Sequence, residues 1–137
     1  MKKFNRISAF LVLLALLASS GCNLFKASYE DLLTDHVWNF DKITTNSTDE
    51  TVQGIVALTG AFMTGATLQF YTNGTYTITI MGESENGTWN LIDDDEVLLM
   101  DSDEMIIIEL SKDELIMEGE EVDNEYGTYK VTMYFEK

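Results

Sequence analysis

Residues 67–81 read TLQFYTNGTYTITIM, and this stretch indicates the kind of fold to expect. Apolar or aromatic side chains alternate with polar ones on both sides of Asn73 and Gly74. A period of two is typical of a strand that is buried on one face. Asn-Gly is a strong hairpin signal, because both positions tolerate positive φ. The stretch therefore predicts two antiparallel strands joined by a tight turn.

The unit Asn-Gly-Thr-aromatic at residues 73–76 recurs at residues 86–89, and a near copy occupies residues 126–129. In each copy we expect the glycine to end a turn, the threonine to begin a strand and the aromatic residue to be the first that faces inward. The three aromatic residues, which we expect near the rims of a barrel, are Tyr76, Trp89 and Tyr129.

Eight strands are predicted along the chain, with short links between most of them. Short links make neighbouring strands pair antiparallel, and closure into a barrel removes exposed edges. The predicted fold is therefore all-β, an eight-stranded antiparallel up-and-down meander barrel. The predicted strands are residues 36–43, 67–72, 75–81, 88–92, 96–100, 105–110, 114–118 and 128–135, and the predicted turns are residues 73–74, 83–87, 93–95, 101–104 and 111–113.

Residues 51–63 break the period of two, because Val52, Ile55, Val56 and Phe62 recur at helical spacing. We predict one short helix here, between the first and second strands, with Thr48 or Asp49 as its cap. Gly54 and Gly60 each weaken such a helix by about 1 kcal/mol relative to alanine. A shorter helical turn is predicted at residues 29–35.

The strands at residues 97–100 and 105–108 are apolar on both faces. One face fills the barrel, and the outer face near Leu98 and Ile107 should be covered, because a large exposed apolar patch usually marks an interaction site. The helix at residues 51–63 or a partner could cover it. The same helix could instead lie over the barrel mouth as a lid.

Residues 1–21 have the layout of a secretory signal. Three basic residues come first, and the apolar run at residues 10–18 is too short to span a bilayer. Ser20 and Gly21 then precede Cys22, the only cysteine of the chain. This ending resembles the lipobox of bacterial lipoproteins, in which the cysteine becomes the lipidated first residue of the mature chain. It departs at Ser19, where leucine is commonest.

The lipobox resemblance implies that acyl chains such as palmitate on Cys22 anchor the protein to a membrane outside the cytoplasm, with the outer membrane as the expected one. A single cysteine cannot form an internal disulfide bond. The implied organisation is a signal peptide at residues 1–21, a lipidated cysteine and short tether at residues 22–31, and a barrel domain at residues 32–137.

The chain is strongly acidic, with 24 acidic and 8 basic residues and a formal charge of −16. Removal of residues 1–21 would take away three basic and no acidic residues, which leaves a charge of −19 on 116 residues. Nucleic acid is excluded as a partner, because its phosphates require cations. A basic protein would be attracted, although solubility alone explains such a surface.

Four motifs give the chain a resemblance to the lipocalin-like domain of many small bacterial lipoproteins, over residues 32–135. The lipocalin pattern favours glycine two residues before the first tryptophan, where this chain has His36. The resemblance implies a barrel that can contain a central cavity, and it carries over no catalytic residue. The motifs are residues 32–38 (LLTDHVW), 70–76 (FYTNGTY), 87–91 (GTWNL) and 107–115 (IIELSKDEL).

The polar residues single out no catalytic constellation. The lone His36 is expected to pack at a barrel end, because a metal site or a triad needs convergent partners. The acidic loops at residues 93–96 and 101–104 could hold calcium through their oxygens, but solvated turns are the simpler interpretation. No cofactor, metal or enzymatic activity is therefore predicted.

Two hypotheses of function follow from the sequence. In the first, the barrel of an envelope lipoprotein carries a small apolar ligand, with the segment at residues 51–63 as its gate. In the second, the core is filled, and acidic loops such as residues 93–96 and 118–125 bind a basic envelope protein. The residues predicted to line the ligand site are Trp38, Phe40, Phe70, Tyr76, Trp89, Tyr129 and Phe135.

Overall fold

Two helices and ten strands form in residues 27–137, the part of the chain that the computed structural model describes. The predicted signal peptide and the predicted lipidation site at Cys22 lie outside the described residues. The helices are α1 (Tyr29–Thr34) and α2 (Glu50–Phe62). The strands are β1 (Trp38–Thr45), β2 (Thr67–Phe70), β3 (Thr75–Ile80), β4 (Glu83–Ile92), β5 (Val97–Met100), β6 (Asp103–Leu110), β7 (Glu114–Gly119), β8 (Val122–Asn124), β9 (Gly127–Tyr129) and β10 (Val131–Glu136).

All strands except β8 and β9 close into a barrel in the order β1-β10-β7-β6-β5-β4-β3-β2. Every neighbouring pair is antiparallel, and β1 closes the barrel against β2 through the pairs Trp38 with Leu68 and Asn39 with Thr67. The predicted eight-stranded up-and-down barrel is confirmed. Strands β8 and β9 form a separate two-stranded sheet between β7 and β10.

Two details of the predicted meander are wrong. The turn predicted at residues 83–87 lies earlier, where Met81 and Gly82 have φ of 53° and 85° and join β3 directly to β4. Both central residues of such a two-residue hairpin need positive φ. The single strand predicted at residues 128–135 is also split at Lys130, because β9 ends at Tyr129 and β10 begins at Val131.

Helix α1 closes the end of the barrel at which β1 begins. Ser28 and Asp31 cap it through a capping box, in which each side chain accepts from the backbone N–H of the other residue. Leu33 is the fully buried residue of this helix, and its carbonyl accepts a hydrogen bond of 3.1 Å from Nε1 of Trp38. The helical turn predicted at residues 29–35 is confirmed.

Helix α2 lies at the other end, over the second half of β1. Asp49 caps it, because its Oδ1 accepts from the backbone N–H groups of Thr51 at 2.8 Å and Val52 at 3.1 Å. A Cβ on Gly60 would lie 3.0 Å from Cγ2 of Ile43, which shows how closely the helix approaches the strand. The helix predicted between the first and second strands is therefore confirmed.

The outer apolar face of β5 and β6 is not covered by α2, which packs mainly against β1. Ile106 is 40% exposed and Ile108 is 54% exposed. The sequence left two positions open for this helix, and the one in which it covers the outer face of β5 and β6 is therefore wrong. Its location beside the end of β1 matches the alternative, a helix at the barrel mouth.

Candidate ligand-binding cavity at the open end of the barrel

The barrel interior is filled at the α1 end. Trp89 meets Phe70 edge to face, with ring centroids 5.5 Å apart, and its Nε1 donates to the carbonyl of Tyr71 at 2.9 Å. Both indole N–H groups of the core are therefore satisfied, as buried tryptophans require. The buried core residues are Leu33, Trp38, Leu68, Phe70, Trp89, Leu98, Leu115, Met117 and Phe135.

A cavity of about 440 Å³ opens at the other end, between α2 and the β3–β4 hairpin. This volume is in the range of small-molecule sites, about 300–1,000 Å³. Ile78 at its base also packs against the buried core, whereas Phe62 is 61% exposed and Met81 is 71% exposed. The lining residues are Phe62, Ile78, Ile80, Met81, Glu83 and Glu85.

The pairing of β3 with β4 explains why carboxylates share this cavity with isoleucines. Glu85 pairs with Ile78, and Glu83 pairs with Ile80. Residues that are directly opposite in an antiparallel pair project from the same face of the sheet. The two carboxylates therefore belong to the inner face of the barrel, although both residues are exposed at its mouth.

No basic side chain of residues 27–137 forms an ion pair with either glutamate. The ion pairs of lysine in this part of the chain join Lys112 with Asp113 and Lys130 with Glu118, and the one histidine, His36, lies near Asp35. The cavity therefore combines an apolar wall with carboxylates that lack a cationic side chain of the described chain as a partner.

A polar cluster marks the border between the filled and open halves. The Tyr76 hydroxyl donates to Oδ2 of Asp101 at 2.6 Å, and Oδ1 of Asp101 accepts from the backbone N–H of Thr88 at 2.9 Å. The Tyr76 ring lies across Gly87, its partner in the strand pair, where a Cβ would be only 2.6 Å from ring atoms. Because Gly87 has no side chain, the Tyr76 ring can occupy this space.

Burial raises the pKa of Tyr76 to about 12, and the hydrogen bond to Asp101 adds to this increase. The negative charges of Asp101, Asp103 and Glu85 raise it further. The hydrogen bond from Tyr76 lowers the pKa of Asp101. The electrostatic field at the inner face is therefore negative toward the mouth.

The three copies of the repeated unit do not share one structural role. Gly74 has a φ of 82° and lies in a turn, and Gly127, with a φ of 101°, is the first residue of β9 directly after the turn at residues 125–126, so both glycines end a turn as the sequence predicts. Gly87 lies within β4 and serves to make room for Tyr76. The prediction that a glycine ends a turn in every copy is therefore wrong at Gly87.

The residues predicted to line a ligand site lie elsewhere than the cavity. Trp38, Phe70, Trp89 and Phe135 are buried in the core, and Phe40 and Tyr76 pack against it half-buried. Tyr129 belongs to the separate β8–β9 sheet, outside the barrel. Not one of the seven is among the lining residues of the cavity.

The sequence analysis did not single out the residues that line this cavity, for a definite reason. The alternation of Ile78 and Ile80 was visible, but residues 83–87 were predicted to be a turn. The signal that could have found the site is the dipeptide Met81-Gly82, which allows a two-residue hairpin and extends β4 to Glu83.

A second cleft, of about 320 Å³, lies where the described chain begins. Its lining is mainly polar and includes Ser28, Glu30 and Asp95, together with Trp89, which is one of the seven residues predicted to line a ligand site. Such a lining, beside residues that are not described, makes it the weaker candidate for a ligand site.

The other groups considered for chemistry do not converge. Within the described part, no three His, Cys, Asp or Glu residues are arranged to hold a metal ion. His36 packs against Trp38 with ring centroids 4.2 Å apart, and both of its ring nitrogens are buried without a hydrogen-bond partner. The arrangement matches the predicted packing of His36 at a barrel end.

Comparisons of the chain with protein-family models and with the sequences of curated proteins gave no match. Neither helix of the described residues has the length and apolar character needed to cross a membrane. The interpretation of the site therefore rests on its own geometry.

Proposed function

We propose that this protein is a binding protein of the bacterial cell envelope that holds a small, largely apolar ligand at the open end of its barrel. The observation that carries the proposal is the exposure of Phe62 and Met81 beside the half-buried Ile78 and Ile80. Exposed apolar surface is unfavourable by roughly 25 cal/mol per Å², and a ligand in the cavity would remove it from water.

The anchoring part of the proposal rests on the sequence. Residues 1–21 resemble a lipoprotein signal, and Cys22 is the residue that would carry the acyl chains. Two or more acyl chains give stable attachment to a membrane. The closed antiparallel barrel supports the proposal of a lipocalin-like domain. The proposal assigns no catalytic residue and no cofactor.

The second candidate function is that of an acidic module that binds a basic envelope protein. It is favoured by the segment at residues 118–125, where Glu120, Glu121, Asp123 and Glu125 are all exposed. Lys130 forms an ion pair of 2.9 Å with Glu118. The other four carboxylates of this segment form no ion pair within residues 27–137. Binding through them would weaken as salt is added.

The test is mass spectrometry of the small molecules extracted from the mature protein, purified from the envelope in a mild detergent. We expect one largely apolar compound in stoichiometric amount, lost in the Ile80→Asn variant because an uncharged polar amide would replace part of the apolar cavity wall. Ile106→Asn is the matched control, since it makes the same change on the outer face, where Ile106 pairs with Glu118 and Val97.

An extract without any stoichiometric compound contradicts the carrier proposal, and so does equal loss in both variants. Copurification of a basic protein that salt releases would support the second candidate instead.

A further inference from the structure

We infer that the cavity at the open end takes an amphipathic cation, with its apolar body on Ile78, Ile80 and Phe62 and its positive group beside Glu83 and Glu85. This inference rests on the proposed function, because it names the class of ligand for the same cavity. It is carried by the mixed character of the lining, which is apolar on β3 and α2 and anionic on β4.

The strand geometry sets the spacing of these groups. Side chains two residues apart on one face of a strand are separated by about 7 Å. Directly opposite residues of an antiparallel pair have Cβ atoms about 5 Å apart. Glu83 and Glu85 thus flank a space wide enough for a substituted ammonium group, and their partners Ile80 and Ile78 form the adjacent wall.

Phe62 adds a reason to prefer a bulky organic cation. Its ring comes from the last turn of α2, lines the cavity and is largely exposed to solvent. A cation within about 6 Å of an aromatic ring centroid is attracted by the ring quadrupole. A substituted ammonium group in the cavity would therefore be attracted by Phe62 as well as by the carboxylates, because all of them line the same space.

The surrounding charges favour a cation over an anion. Asp101, Asp103 and Glu85 all act on Tyr76 just below the cavity. An anionic amphiphile such as a fatty acid would place its carboxylate among like charges, which is unfavourable. The formal charge of the whole chain, −16, adds a long-range attraction for cations.

A bare metal ion fits these residues poorly. Calcium takes six to eight oxygen ligands at about 2.3–2.6 Å, whereas the cavity lining offers the carboxylates of only Glu83 and Glu85. In residues 27–137, no group of three metal-ligating side chains is arranged around an ion. The combination of an apolar wall and two carboxylates suits an organic cation instead.

The test compares three probes with the same alkyl chain, namely octyltrimethylammonium, octanesulfonate and octanol, each below its micelle concentration. They are titrated calorimetrically into the mature protein in nanodiscs, with empty nanodiscs as the blank. We expect the cation to bind most tightly. Glu83→Gln and Glu85→Gln should each weaken it about twofold to fivefold, as expected for exposed charge pairs.

Glu104→Gln is the matched control. It removes the same charge from β6, but Glu104 pairs with Leu99 on the outer face of the barrel. We expect it to leave binding of the cation unchanged, and we expect none of the three charge-removing variants to weaken binding of octanol.

Several results would overturn the inference. Equal affinity for all three probes would be consistent with an apolar binding cavity, and it would refute the preference for a cation. An equal loss in Glu104→Gln and Glu85→Gln would assign the attraction to net charge rather than to the cavity. Failure of every probe to bind would refute the proposed function together with the inference.

Discussion

The two halves of the barrel are built from the same strands but have opposite interiors. The inner face of β4 shows the difference, since its inward residues from the open to the closed end are Glu83, Glu85, Gly87, Trp89 and Leu91. Within ten residues the face changes from charged, through an empty position, to buried and apolar. Stability is therefore expected to reside at the Trp89 end, and binding at the Glu83 end.

Truncating one large side chain at each end tests this difference between the two halves. Trp38→Ala should lower the free energy of unfolding by about 3–5 kcal/mol, because it leaves a cavity in the filled core. Phe62→Ala should change it by about 0.5 kcal/mol or less, because the side chain is mostly exposed. Urea unfolding of both variants measures the difference.

If Trp38→Ala fails to fold, Leu115→Ala at the same end replaces it, with an expected loss of about 2–5 kcal/mol. Equal losses in the free energy of unfolding at the two ends would show that the open end contributes to the core as much as the filled end does.

The border between the halves can be tested at Gly87. Gly87→Ala would place a Cβ 2.6 Å from the Tyr76 ring and from Oδ2 of Asp101, so one of them must move. We expect a loss of about 1–3 kcal/mol in the free energy of unfolding, as for an overpacked site. In a Tyr76→Leu background the same substitution should cost less, and a double-mutant cycle measures the coupling. Equal costs in the two backgrounds would mean that the ring is not what Gly87 accommodates.

The helix at the open end offers a matched pair of glycines. Nothing lies within 4 Å of a Cβ on Gly54, so Gly54→Ala should raise the free energy of unfolding by about 1 kcal/mol through helix propensity. Gly60→Ala should lose most of this gain, because its Cβ would press on Ile43. Thermal unfolding compares the two variants. A gain that is the same at both positions would contradict the close packing of α2 on β1.

The last expected effect, which is confined to alkaline pH, is the titration of Tyr76, whose pKa is raised from 10.0 to about 12. Because the folded pKa lies above the unfolded value, this group stabilises the fold fully below pH 10 and loses that contribution as the pH rises toward 12. Phenolate absorbance should show a titration step at about pH 12 that is absent in Tyr76→Phe. Over the same pH range, the stability of Tyr76→Phe should decline less steeply. Identical titrations of the two proteins would contradict the burial and hydrogen bonding of this phenol.

The sequence was sufficient to predict the barrel, because residues 67–81 and their neighbours keep a period of two and a closed meander is the way to remove the edges. It was insufficient for the cavity. Residues 83–87 are polar, and polar residues are usual in loops, yet here they form a strand whose inner and outer faces both reach solvent. Only the register of β4 against β3 reveals that Glu83 and Glu85 lie on the inner face.

The two helices lie at opposite ends of the barrel and therefore distinguish those ends. The chain reaches the barrel through α1 at the filled end, whereas α2 and the cavity lie at the other. From residue 22 to residue 28 an extended chain spans at most about 20 Å. If Cys22 carries the proposed lipid anchor, the tether joins the barrel at its filled end. The mouth of the cavity lies at the opposite end, so the attachment would leave it unobstructed.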